Sequence, residues 1–199
     1  VVYNHLSGIP LTYTYIENHP SICKYNIDGG SNTTNTCTSN DTTFTTTGFG
    51  SHTLNLFMND TVGNDGDDSI GFILLENISQ TYESSTIELN EETYSIVLND
   101  TTSSITSVEF IYENVNYVAT LSDETGTEKT YTSTLNVPEV TVGDADTYNF
   151  GWNVTVNYLS NVGSVYYGNF TQTVNNIIIV PTTDGSTCDS VTATEYALN

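Results

Sequence analysis

Six large side chains, Tyr148, Phe150, Trp152, Val154, Val156 and Tyr158, occupy every second position of one stretch. That spacing puts all six on one face of a β-strand, and no amphipathic helix tolerates it, because a helical apolar face recurs every three to four residues. The same alternation returns in Leu11/Tyr13/Tyr15, Ile87/Leu89, Tyr94/Ile96/Leu98, Val108/Phe110/Tyr112 and Tyr131/Ser133/Leu135/Val137, the last ended by Pro138. Ser, Thr and Asn are abundant while Ala, Lys, Arg and Met are scarce, which favours strands over helices. The expected class is therefore all-β: antiparallel strands stacked as sandwiches. Hairpin turns are expected at 113–116 and through Asn161-Val162-Gly163, the second returning the long strand as a partner over 166–180.

The most closely spaced signals lie between Cys23 and Asn64. Cys23, Tyr25 and Ile27 alternate with Lys24, Asn26 and Asp28 and run into an Asp28-Gly29-Gly30 turn. A second strand, Gly50-Ser-His52-Thr-Leu54-Asn-Leu56-Phe-Met58, puts His52, Leu54, Leu56 and Met58 on one face, and Asp60-Thr-Val-Gly-Asn64 closes it. A third, Ile70/Phe72/Leu74, follows an acidic turn region. This order of motifs, a Cys-x-Tyr-x-x-Asp-Gly-Gly strand and turn, a Gly-x-His-x-Leu strand, then Asp-x-x-Gly-Asn, resembles the immunoglobulin-like repeats of archaeal and bacterial cell-surface proteins, both S-layer-like and adhesin-like. The likeness covers about residues 8–75. It implies an extracellular, repeated, non-catalytic module.

On this reading the chain holds two tandem immunoglobulin-like sandwiches, over 1–75 and 76–180, with 181–199 a tail or the start of a further module. The break falls at Leu74-Leu75-Glu76-Asn77, where one strand pattern stops before the next begins. The first residue is Val1, as expected for a processed protein or a piece of a longer one, with any signal peptide or anchor outside it. Residues 181–199, including Cys188, read either as a segment ordered by a following module or a neighbouring copy, or as a frayed tail.

Twenty-four Asp and Glu stand against two cations, Lys24 and Lys129, for a formal net charge of −22. Such a surface repels phosphate backbones and anionic headgroups, so nucleic acid is excluded as a partner, and no apolar run is long enough to insert in a membrane. The partners that remain are neighbouring modules or subunits of a surface assembly, and glycans.

Cys23 and Cys37 are the pair suited to a disulfide; the alternative is two buried thiols in a reducing cytosol. Among the histidines His5, His19 and His52, His52 reads inward as a structural residue. No Gly-x-Ser-x-Gly or phosphate-cradling glycine motif is present, so no catalytic residue is assigned and an enzyme is not expected. Asp60, Asn64, Asp65, Asp67 and Asp68 are either a plain hairpin turn or oxygen ligands for Ca²⁺, the one cofactor considered. Asn-x-Ser/Thr sequons at Asn32, Asn40, Asn59, Asn77, Asn99, Asn153 and Asn169 are candidate N-glycan acceptors, each read as lying in a turn or on an outward strand face. The expected role is structural or adhesive, in a surface, filament or virion-fibre protein at the cell or virion surface. The alternative is a carbohydrate-binding module, which an exposed row of aromatics would favour.

Overall fold

The computed structural model describes residues 1–37, 42–140 and 145–177, and every regular element in them is a strand. The N-terminal part runs β1 (Val2–Tyr3), β2 (Ile9–Leu11), β3 (Pro20–Ile27), β4 (Thr33–Asn35), β5 (Thr42–Phe44), β6 (Gly50–Asp60) and β7 (Asp65–Leu74). Five of these form one sheet in the order β1-β7-β6-β3-β4, with β1 parallel to β7 and the other pairs antiparallel. Across from it lies the short β2–β5 ladder. Ile9, Leu11 and Phe44 from that ladder close against Phe72 and Leu74, and Phe44 and Phe72 meet edge to face at 5.5 Å.

After Leu75 the chain continues as β8 (Glu76–Thr81), β9 (Ser85–Ile87), β10 (Glu91–Asn99), β11 (Ile105–Tyr112) and β12 (Val115–Val118). It then forms β13 (Thr120–Thr125), β14 (Glu128–Asn136), β15 (Ala145–Tyr158) and β16 (Asn161–Asn175). One sheet has the order β13-β14-β10-β8, the facing sheet β12-β11-β15-β16-β9. The expected alternation is what packs between them: Tyr94, Ile96 and Leu98 face Val108, Phe110, Phe150, Trp152 and Val154. Tyr94 stacks on Phe110 at 4.5 Å and touches Phe150 at 5.3 Å, joining the two sheets.

Gln172, enclosed with these rings, has its side-chain amide hydrogen-bonded at both ends, as burial favours. Gln172 accepts the hydroxyls of Tyr94 and Tyr112 at 2.5 and 3.0 Å and donates through Nε2 to the Glu83 carbonyl at 2.7 Å. Burial pushes the Tyr94 hydroxyl up to about 12 and raises that of Tyr112 further.

The junction at Leu75 is buried rather than a solvated linker. Val2, Ile73 and Leu75 belong to the larger core, and the Tyr167 hydroxyl donates to the Leu75 carbonyl at 2.7 Å. The Leu159 side chain lies against Gly71 so closely that a Cβ there would collide with it.

Three local expectations change. The strand expected from Leu11 through Tyr15 stops at Leu11, where the β2–β5 ladder ends, and residues 12–17 run on outside any sheet. Ile87 and Leu89 are exposed, while Thr86 and Glu88 are inside, because the Glu88 carboxylate accepts from the backbone N–H of Val140 and Ile177. The turn after β15 is Leu159-Ser160, both at positive φ, so Val162 and Gly163 are already paired with Asn157 and Val156. Residues 178–199, with Cys188 and the proposed C-terminal contacts, lie outside the described residues, as does Asn40.

Candidate functional site

Two of the three motifs of the first sheet, the Asp28-Gly29-Gly30 turn and the Gly50–Leu54 stretch, meet where β3 ends beside the start of β6, and Asp60–Asn64 lies at the far end of β6. Asp28 and Gly29 both take positive φ, and Gly30 N–H donates to the Ile27 carbonyl at 2.9 Å, a primed turn whose twist suits a hairpin. The Asp28 carboxylate then bonds sideways to β6. Its Oδ1 accepts from Thr53 N–H at 2.7 Å and its Oδ2 meets His52 Nδ1 at 2.7 Å, while His52 Nε2 faces the Gly48 carbonyl at 2.9 Å. Partial burial opposes ionisation of Asp28, but the His52 and Thr53 hydrogen bonds outweigh it and hold the carboxyl below its usual range. With both ring nitrogens engaged and its ring stacked on Phe72 at 5.4 Å, His52 ties strand to turn.

Cys23 and Cys37 form a disulfide with α-carbons 5.2 Å apart, clamping the segment after β4 to β3. Replacing both by Ser should cost about 3 kcal/mol on the loop-entropy account for a loop of this size. A urea titration of the double variant checks this; a cost under about 1 kcal/mol would mean the ladder alone fixes the segment.

At the other end of the hairpin the β2–β5 ladder fails to cover the sheet, and a cleft of about 510 Å³ opens there. Its floor is the inner face of β6 and β7: Leu54, Leu56, Met58 and Ile70. Its wall is the extended 12–17 segment, with Tyr13 and Tyr15 half-buried side by side, ring centroids 6.3 Å apart and 34° from coplanar. Asn35 Nδ2 donates to the Tyr13 hydroxyl at 3.3 Å, which holds this wall to β4. Asp60, Asn64, Asp67, Asp68 and Ser69 supply a polar rim. The volume falls in the range of small-ligand sites, and the mixture of apolar floor and few polar groups is typical of them. Neither lysine lines it.

The five residues considered for Ca²⁺ all border this cleft. Asp60 is engaged in its own turn: Oδ1 accepts from Val62 and Asn64 N–H at 2.9 Å each, and Oδ2 from Asn64 Nδ2 at 2.6 Å. Those bonds, the Asn64 ones foremost, lower the Asp60 carboxyl below its usual range. Asp65 and Asp67 point to the opposite face of β7 from Asp68 by the alternation of the strand. Among the described residues no group of three or more His, Cys, Asp or Glu is placed to hold a metal ion.

The sequons fall in unequal surroundings. Asn32 and Asn169 are exposed, and Asn59, Asn77, Asn99 and Asn153 are half-buried. The cleft has no direct signal in the sequence; the Leu11/Tyr13/Tyr15 alternation marks its wall but has the spacing of a strand.

Fold and disulfide together define an all-β, sandwich-type protein, and no helix among the described residues is long and apolar enough to cross a membrane. No protein-family model matches the chain, and no curated protein does. A solved structure to which it is similar is the Bacteroides ovatus mixed-linkage glucan utilization locus protein SGBP-B in complex with a mixed-linkage heptasaccharide. The identity is 10% with a TM-score of 0.25, over 79% of this chain and 38% of that one. At that level the likeness carries no argument about ligand or activity.

Proposed function

We propose that the chain is a non-catalytic extracellular module, built as two tandem immunoglobulin-like sandwiches, that binds an uncharged glycan in the cleft between residues 12–17 and the β6–β7 hairpin. The cleft carries this reading. Tyr13 and Tyr15 offer adjacent rings to the apolar faces of sugars, and the Asp, Asn and Ser rim offers acceptors and donors to their hydroxyls. A net charge of −22, with no cation in the lining, works against anionic polysaccharides. The disulfide supports an oxidising, extracellular setting at a cell or virion surface.

The test is calorimetric titration with a panel of neutral oligosaccharides. Tyr13→Ala and Tyr15→Ala are each expected to weaken binding roughly 2- to 10-fold, the loss of one aromatic contact of about 0.5–1.5 kcal/mol. Absence of binding at millimolar concentration, or binding indifferent to both substitutions, overturns it. A second reading then stands: a rigid structural or adhesive spacer in a surface, filament or virion-fibre assembly, with neighbouring modules as partners. The observation favouring it is that Trp152, Phe110, Tyr94 and Phe150 are all enclosed in the core rather than set out in an exposed row.

A further inference from the structure

The described sequons differ in what their amides already do. Asn99 is turned inward, with Oδ1 fully buried and Nδ2 donating to Glu76 at 3.1 Å, and the Asn77 Oδ1 is likewise buried. Asn59 Oδ1 accepts from Ile22 N–H at 3.0 Å, and Asn32 Oδ1 from Asn26 Nδ2 at 2.7 Å. Asn153 Nδ2 lies 3.5 Å from Glu109. Asn169 differs from all of these. It is exposed, and no described residue engages its side chain.

Its backbone setting differs too. The β15–β16 register passes from Phe150↔Phe170 to Trp152↔Tyr167, so Gly168 and Asn169 together oppose Gly151 in a β-bulge. Asn169 takes φ 69°, a left-handed conformation that Asn tolerates better than most residues. Tyr167 and Phe170 turn into the core on either side, which leaves the bulge pair outside. Beside it the Tyr166 ring lies over Gly151 and Gly168, in the space a Cβ on either would fill, and half of Tyr166 stays exposed, at 50%. Two glycines thus make a bed for one aromatic ring, three residues before an unengaged sequon asparagine.

We propose that Asn169 is an N-glycan acceptor and that the Tyr166 ring is the surface on which its first sugar packs. The sugar comes from a lipid-phosphate-linked oligosaccharide through the transferase of the secreting cell. The Asn169 amide nitrogen bonds to the anomeric carbon as the carbon–oxygen bond to the lipid phosphate breaks. The phosphate-bearing lipid leaves with that electron pair, the amide loses one proton to a transferase base, and nothing is oxidised or reduced. Once attached, the sugar's apolar face covers the exposed half of Tyr166, a contact of the same kind as an aromatic pair.

The chain would be secreted from an N-glycosylating eukaryotic cell and the folded fraction mapped by glycopeptide mass spectrometry. Asn169 is expected to be occupied in most molecules and Asn99 and Asn77 in few. The Asn169→Gln variant supplies the unglycosylated reference, and the glycan is expected to raise the thermal midpoint by about 2–4 °C. In a Tyr166→Ala background that gain should vanish. Should Tyr166→Ala fail to fold, Tyr166→Leu fills the same space without an aromatic face and is expected to lose the gain in the same way. A bare Asn169 in folded secreted protein, or an equal gain with and without the ring, overturns the proposal. The result is separate from ligand binding at the cleft, since neither Asn169 nor Tyr166 lines it.

Discussion

Trp152→Ala should remove about 3–5 kcal/mol of stability, a large part of the roughly 5–15 kcal/mol that holds a typical domain folded. Trp152 is fully enclosed, paired across β15 with Phe110 on one side and Tyr167 on the other, its ring 4.8 Å from that of Phe110. Its position in the middle of the central strand leaves no solvent to fill the void and little freedom for neighbours to collapse into it. The indole adds a second expectation, because its Nε1–H has no acceptor among the described residues. A buried donor left unpaired costs about 1–3 kcal/mol, so Trp152→Phe removes a penalty along with some packing and should lose far less than the alanine variant. Urea titrations followed by far-ultraviolet circular dichroism measure both, since the variants lack the chain's single tryptophan. A loss under about 1 kcal/mol for Trp152→Ala would show that the core repacks around the gap.

A physical line separates the elements of this chain that are legible in its sequence from those that are not. Strands with one face in the core wrote themselves into the sequence as alternation, so β10, β11, β14 and β15 were all legible with the right face inward. β13 was not, because every residue of it is exposed and nothing constrains its pattern. Thr86 and Glu88 inverted the rule at β9: a carboxylate that satisfies two backbone N–H groups is worth burying, and hydrophobicity alone does not reveal that. The Leu159-Ser160 turn carries no glycine or asparagine to announce its left-handed backbone, so the nearby Asn161-Val162-Gly163 drew the turn expectation instead. The Asp-Gly-Gly and Asp-x-x-Gly-Asn turns were legible because Asp28, Gly29 and Gly63 take the positive φ such residues favour. The cleft was hidden for a different reason. It exists where the β2–β5 ladder is too short to cover β6 and β7, a mismatch of lengths between segments far apart in sequence.

Asp100→Ala is expected to cost about 3–5 kcal/mol near neutral pH, the range for removing one partner of a buried ion pair. The Asp100 side chain is fully enclosed in the turn after β10. Its Oδ1 accepts from Ser104 N–H at 2.9 Å, the Ser104 hydroxyl at 3.2 Å and the Thr102 hydroxyl at 3.4 Å; its Oδ2 accepts from Ile105 N–H at 3.1 Å and Lys129 Nζ at 3.1 Å. Alanine would strip all five donors at once and leave Lys129 with Glu124, 3.9 Å away, as its remaining ion-pair partner among the described residues. Desolvation alone would raise the Asp100 carboxyl, yet the Ser104 and Ile105 amides and the Lys129 ammonium outweigh it and the net shift is downward. For Lys129, desolvation would lower the value, and Asp100 reverses that to a net rise. The signs fix the pH window. A carboxyl lowered on folding stabilises above its unfolded value of about 3.9 and loses that contribution as pH falls through the folded value; an ammonium raised on folding stabilises below about 10.4 and loses it as pH climbs through its folded value. The pair thus contributes across the whole range between, and Asp100→Asn should show a stability deficit that is flat from about pH 5 to 9 and shrinks below about pH 4. Comparing the variant with wild type at each pH is necessary, because protonating the other carboxylates also relieves the self-repulsion of a chain at −22. A deficit that stays constant down to pH 2 would mean that Asp100 acts through its shape and hydrogen bonds alone, without its charge.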